Sequence, residues 1–109
     1  MSYRWPPDWL LYRYLDYYRD FVNRIAWAIE PHPEAIISSW FRDEASNRAA
    51  KGHPYSQHRL AFAFDFVTED KAALATRFRR AGLVPVVKGS HLHAQAFPAG
   101  SIPQSLFVI

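Results

Sequence analysis

The sequence predicts an α+β fold: a small antiparallel sheet with helices packed mainly on one side. Three observations predict it. Residues 60–67, LAFAFDFV, alternate strictly, which is the period of a strand. Residues 9–29 contain no Gly or Pro and repeat apolar side chains at helical spacing. Two further β-rich runs, 84–87 and 92–97, follow a second helical segment. With 109 residues, and no repeat or composition shift along them, one domain spanning 1–109 is expected.

The elements follow in order. Pro6-Pro7-Asp8 opens the first helix, since proline suits a first helical turn. Leu11, Tyr14, Leu15, Tyr18, Phe21, Val22, Ile25 and Ile29 form its apolar face, so residues 1–30 read as one long amphipathic segment that faces the core. Trp5, Trp9, Tyr12 and Tyr17 exceed what a small core needs and form a candidate docking patch. Pro31-His32-Pro33 ends the helix. Residues 35–41, AIISSWF, form a short strand, and Asp43 caps a short helix reaching about Ala50. Gly52-His53-Pro54 is a loop. In the strand 60–67, Phe62, Phe64 and Phe66 take one face; Ala61, Ala63 and Asp65 take the other. Thr68 caps a helix that runs to Ala81 and stops at Gly82. The apolar end, 106–109, is placed as an edge strand.

Composition narrows the chemistry. The chain has no cysteine, which excludes disulfides, thiolate metal sites and cysteine nucleophiles. Any metal site must therefore use His and carboxylates. The net charge of +3 and pI near 9.4 suit an anionic polymer without choosing one. No apolar run is long enough for a membrane span, and the first residues lack the pattern of a signal peptide, so synthesis in the cytoplasm is expected.

Two segments carry candidate chemistry. A lone carboxylate beside small alanines, on a strand otherwise rich in Phe, needs a partner or a cation if it is buried. That residue is Asp65. In Ser90-His91-Leu92-His93, both imidazoles fall on one face of a strand. His58 lies seven residues before Asp65. Two histidines and one aspartate make the three-ligand set of a catalytic zinc ion, whose fourth position stays open. His32 and His53 lie beside prolines in loops and are read as incidental, with His53 the residue to test for a fourth nitrogen ligand.

The stretch IISSWFRDEASNRAA…SQHRLAFAFDF…GSHLHAQAF resembles the zinc D-Ala-D-Ala carboxypeptidase and peptidoglycan peptidase superfamily, which shares its fold with the Hedgehog signalling domain. Members typically read I-x-S-G-Y-R-S, then Asn, then S-x-H-x-x-G-x-A-x-D, then H-x-H. Here Ile37, Ser38, Arg42, Asn47, Ser56, His58, Ala63, Asp65, His91 and His93 match in order, within a core of residues 35–97. The resemblance implies that His58, Asp65 and His93 bind one Zn2+ on the sheet face away from the helices. It implies that Arg42 stabilises an oxyanion, that His91 assists the reaction, and that Ser56 and Asn47 contact substrate or steady the pocket. Two positions depart from the pattern. Residues 88–90, Lys-Gly-Ser, hold no acid where the family carries its general base, which leaves Glu44, Glu69 or His91 as substitutes. Ala61 replaces a glycine, and its methyl group is expected to narrow the cleft.

Two functions follow as expectations. One is a zinc peptidase that cleaves peptidoglycan peptides, a phage product reaching the cell wall after lysis. The other is a catalytically impaired domain of the same fold, used as a phage virion component and docking to structural proteins through the aromatic N-terminal helix. A nucleic-acid reading on Arg77, Arg79 and Arg80 ranks below both, because no nucleic-acid motif accompanies them.

Overall fold

In a computed structural model, which describes residues 3–107, the phenylalanine run lies at the centre of the molecule. The strands are β1 (Ile36–Ser39), β2 (Ala63–Val67), β3 (Val84–Val87) and β4 (Leu92–Gln95). They form one sheet in the order β1-β2-β4-β3, and every pairing is antiparallel. The helices are α1 (Asp8–Arg13), α2 (Leu15–Ile29), α3 (Glu44–Ala49) and α4 (Lys71–Arg80). The fold is α+β, as the alternation and helical spacing predict. Among the described residues, no helix is long and apolar enough to cross a membrane.

The core explains which sheet face is covered. Phe62, Phe64 and Phe66 are buried. Tyr18 of α2 stacks on Phe62 at 4.5 Å between ring centroids, and Phe21 meets Phe64 at 5.5 Å. Phe78 of α4 meets Phe66 at 5.4 Å. Helices α2 and α4 therefore roof the phenylalanine face, and each buried ring contributes about 1.5–3 kcal/mol. The two helices also cap one another. Arg24 of α2 donates to the Ala81 carbonyl, while Arg77 of α4 donates to the Trp27 and Ala28 carbonyls and stacks on Trp27 at 3.8 Å. These cations satisfy carbonyls that helix C-termini leave unpaired. Arg77 is thereby committed to the fold rather than to a solvent-facing cluster with Arg79 and Arg80.

Several boundaries differ from expectation. The single long helix is broken at Tyr14, whose φ of −124° and ψ of 36° leave the helical region. Tyr14, at the break, and Tyr18 both pack against Phe62. Leu15 and Val22, expected on the core face, are exposed. Trp5, Trp9, Tyr12 and Tyr17 are also exposed, so the aromatic excess lies outside the core. Strand β2 starts at Ala63 rather than residue 60, because Gln57–Leu60 form a 3-10 turn and Ala61 takes a left-handed φ of 60°. Ala61 thus caps that turn and is not a strand residue. Asp70, not Thr68, caps α4 by accepting from the Ala73 amide; the Thr68 hydroxyl instead donates to Glu34. The expected C-terminal edge strand is a 3-10 turn over Gln104–Phe107, with Phe107 buried; residues 108 and 109 lie outside the described residues.

Candidate metal centre

The sheet face opposite the phenylalanines holds the polar residues. Antiparallel register sets Asp65 directly across from His93 on one side and Ser39 on the other. Period-2 alternation then places His93 and Gln95 in one row along β4, with His91 immediately before the strand. His58 joins them from outside the sheet. Ser56 caps the 3-10 turn by accepting from the His58 amide, and Arg42 N–H donates to the His58 carbonyl at 3.0 Å. Trp40 completes the mount: its indole N–H donates to the Ala61 carbonyl at 2.9 Å.

The donor atoms of His58, Asp65 and His93 all lie within 4.8 Å of one another. Asp65 Oδ1 is 3.2 Å from His58 Nε2 and 3.0 Å from His93 Nδ1. The other ring nitrogens decide what these contacts mean. His58 Nδ1 lies 2.6 Å from the buried Trp40 carbonyl, which can only accept, so Nδ1 carries the proton. His93 Nε2 lies 2.8 Å from Gln95 Oε1 and donates there. In each neutral imidazole the remaining nitrogen is a bare lone pair aimed at a carboxylate oxygen. Three acceptors thus converge on one point, in a place where His58 and Asp65 are almost fully buried. Such an arrangement needs a cation between them, either extra protons or a metal ion. Metal-ligating histidines characteristically donate their second N–H to a carbonyl in this way. The two separations from Asp65 Oδ1, 3.0 and 3.2 Å, are close to the roughly 3.3 Å edge of a tetrahedral set with bonds of about 2.0 Å, while the three donor atoms together are held within 4.8 Å. The residues present could hold a metal ion.

Asp65 Oδ2 serves a second purpose. Arg42 Nη2 donates to it at 3.1 Å, and His91 Nε2 lies 3.7 Å away. His91 Nδ1 is 2.9 Å from the Ser90 hydroxyl. The ammonium of Lys71 donates to the carbonyls of Lys88 and Gly89, pinning the β3–β4 turn that presents His91.

Charge and burial work together here. Burial pushes the His58 imidazole below its ordinary value of 6.5, and this outweighs the attraction of Asp65. Burial by itself would raise the Asp65 carboxyl, but hydrogen bonds and charge from His58 and His93 overcome it and hold the carboxyl well below 3.8. His58 donates to Asp65 only after taking a second proton, and at neutral pH burial leaves its lone pair bare. Both groups have depressed values in the fold, so the unfolded chain takes up protons first as pH falls. Metal-free protein is therefore expected to lose stability progressively below about pH 6.5, continuing through pH 4. Urea melts across pH 3–8 measure this. A flat profile, or an Asp65→Asn variant with an unaltered acid limb, would show that the cluster is not coupled to folding.

The cluster forms the floor of a cleft of about 670 Å³, which Arg42, Ser56 and His91 also line. Among the described lining residues Asp65 is the sole carboxylate, facing the cations Arg42, Lys51 and Lys88. Neither Glu44 nor Glu69 is among them; Glu44 instead pairs with Arg48 at 2.9 Å. Of the three candidate bases only His91 reaches the cleft. Ala61 does not line the cleft either, so it does not narrow it. Asn47 is buried beneath the loop: its amide donates to the His53 carbonyl at 2.8 Å, and a Cβ on Gly52 would sit 2.1 Å from its Oδ1. Asn47 shapes the rim from below and is not in the cleft lining. His53 lines the cleft, but its Nδ1 accepts from the Tyr55 amide. His32 is near Glu34, away from the cluster.

Trp40, Gln57 and Gln95 also hold the site, and no motif in the sequence marks them. A backbone carbonyl's role has no residue signature, but Gln95 continues the His91, His93 alternation and was within reach of the same argument. Comparisons with protein-family models, curated proteins and solved structures found no match to this chain.

Proposed function

We propose that this domain binds one zinc ion through His58, Asp65 and His93 and acts as a peptidase on peptidoglycan peptides. The observation that carries the reading is the convergence of two imidazole lone pairs and one carboxylate oxygen at the floor of an open cleft. Bound zinc would act as a Lewis acid and lower the pKa of a bound water. The chain's own residues supply the rest. Arg42, held by Asp65, presents a guanidinium at the cleft wall for a developing oxyanion. His91, steadied by Ser90, is the side chain in the lining placed to hold or move a proton beside Asp65. The cationic lining favours an anionic substrate such as a peptide bearing free carboxylates. Ala61 adds support: the resembling family carries glycine at this position, and here the backbone takes the left-handed conformation that glycine adopts freely.

A second reading rests on a specific observation. Asp65 is the sole carboxylate among the described lining residues, so no acid stands ready as general base. In that reading the domain keeps the metal for stability and serves as a virion component, docking through its exposed aromatic residues. One experiment separates them. Protein purified without chelator is analysed for zinc and then incubated with peptidoglycan, with products read by mass spectrometry. Zinc at one equivalent with new peptide termini supports the peptidase. Zinc without cleavage favours the structural reading, and absence of zinc removes both.

A further inference from the structure

The histidine row of β4 ends on a glutamine whose own orientation is dictated by the backbone. Gln95 Nε2 donates to the Phe97 carbonyl at 2.8 Å. The carboxamide cannot be reversed at that contact, because reversal would set its oxygen against a carbonyl oxygen. Gln95 Oε1 must then face His93 Nε2, which it does at 2.8 Å. Phe97 is itself held in place. Its amide donates to Gln57 Oε1 at 3.1 Å, and its carbonyl accepts from Gln57 Nε2 at 2.6 Å. A backbone N–H can only donate, so this reciprocal pair has one orientation as well. Gln57 is buried and immediately precedes His58. The chain of hydrogen bonds therefore runs from Phe97, braced by Gln57, through Gln95 to His93.

We infer that Gln95 is a positioning residue: with the Phe97 carbonyl, braced by Gln57, it keeps the His93 proton on Nε2 and leaves Nδ1 as the donor atom toward Asp65. The inference rests on the zinc reading for its purpose and its affinity measurement, but not for its tautomer readout. Without an acceptor at position 95, the ring gains more by placing its proton on Nδ1 and donating it to Asp65 Oδ1, 3.0 Å away. That tautomer has no lone pair facing the metal position. Reversing it on binding costs affinity, and loss of such supporting partners typically weakens metal binding about 10–100-fold.

The test compares wild type, Gln95→Leu and Gln95→Glu. Long-range proton–nitrogen NMR spectra of the metal-free proteins, at a pH where the imidazole is neutral, report which ring nitrogen of His93 holds the proton. Zinc titration with a competing chelator reports affinity. Wild type is expected to show the Nε2–H form. Gln95→Leu is expected to shift to Nδ1–H and to bind zinc about 10–100-fold more weakly. Gln95→Glu, which can only accept, is expected to retain the wild-type tautomer. An Nδ1–H form in wild type overturns the inference even if neither variant folds. An unchanged tautomer and unchanged affinity in Gln95→Leu overturn it too. Wild type that shows the Nε2–H form yet binds no zinc overturns the metal reading alone.

Discussion

Adding zinc at about a hundred times its dissociation constant is expected to raise the melting temperature of the wild-type domain by roughly 10–20 °C, and to leave His58→Ala unmoved. The figure combines two terms. Binding to the folded state alone stabilises by about 2.7 kcal/mol at that excess. A domain near 100 residues shifts by about 4–8 °C per kcal/mol. His58 is the decisive ligand to remove, because it reaches the cluster from outside the sheet. Deleting it leaves Asp65 and His93 paired across β2 and β4 with their register intact. It also removes a buried ring, so each protein is compared with its own metal-free form. Differential scanning calorimetry with and without zinc makes the measurement. An equal shift in His58→Ala would place the bound ion elsewhere, for instance at His32 or His53, and would sink the proposed centre.

Phe66→Ala is expected to destabilise the domain by about 3–5 kcal/mol. Phe66 has no exposed surface, stands on one of the two central strands and packs against both Phe64 and Phe78. Helix α4 sits on it, so truncation opens a cavity at the joint between sheet and helix. Against a total of about 5–15 kcal/mol, that loss brings the domain close to unfolding at room temperature. The neighbouring Val67, half exposed at the strand's end, serves as the control; Val67→Ala should change stability by under about 1 kcal/mol. Urea denaturation followed by tryptophan fluorescence separates the two. A loss below about 1 kcal/mol for Phe66→Ala would mean that the phenylalanine layer is not the core.

The two experiments probe opposite faces of one strand. The zinc shift depends on Asp65 and the phenylalanine truncation on its neighbour Phe66, yet the fold couples them. Trp40 stacks on Phe64 at 4.8 Å, while its carbonyl accepts a hydrogen bond from His58 Nδ1–H. The core therefore helps to aim the ligand, and large core cavities should also weaken zinc binding.

Strict alternation in residues 60–67 was enough to separate the Phe face from the Asp65 face, because successive strand side chains point to opposite sides. The same rule placed His91 and His93 together, and the spacing of apolar residues revealed the helices that roof the sheet. Boundaries were less legible. Nothing local in Tyr14 marks the helix break found there, where its ring meets Phe62. Thr68 and Asp70 are both competent caps, and the choice fell to Asp70 once the Thr68 hydroxyl found Glu34, 34 positions away.

By itself the sequence determined the strand and helix periods, the absence of thiol ligands and the short list of His58, Asp65, His91 and His93. Only the tertiary structure decided that His58 enters from a 3-10 turn, that Asn47 lies beneath the loop, and which nitrogen of each imidazole is bare. The physical reason is range. Side-chain direction along a strand is set by neighbours in the chain, whereas a tautomer is set by whichever carbonyl the fold brings alongside. For His58 that partner is Trp40, 18 residues away; for His93 the glutamine is only two residues on, but its orientation is set by Phe97, which Gln57, 40 residues away in the chain, holds in place.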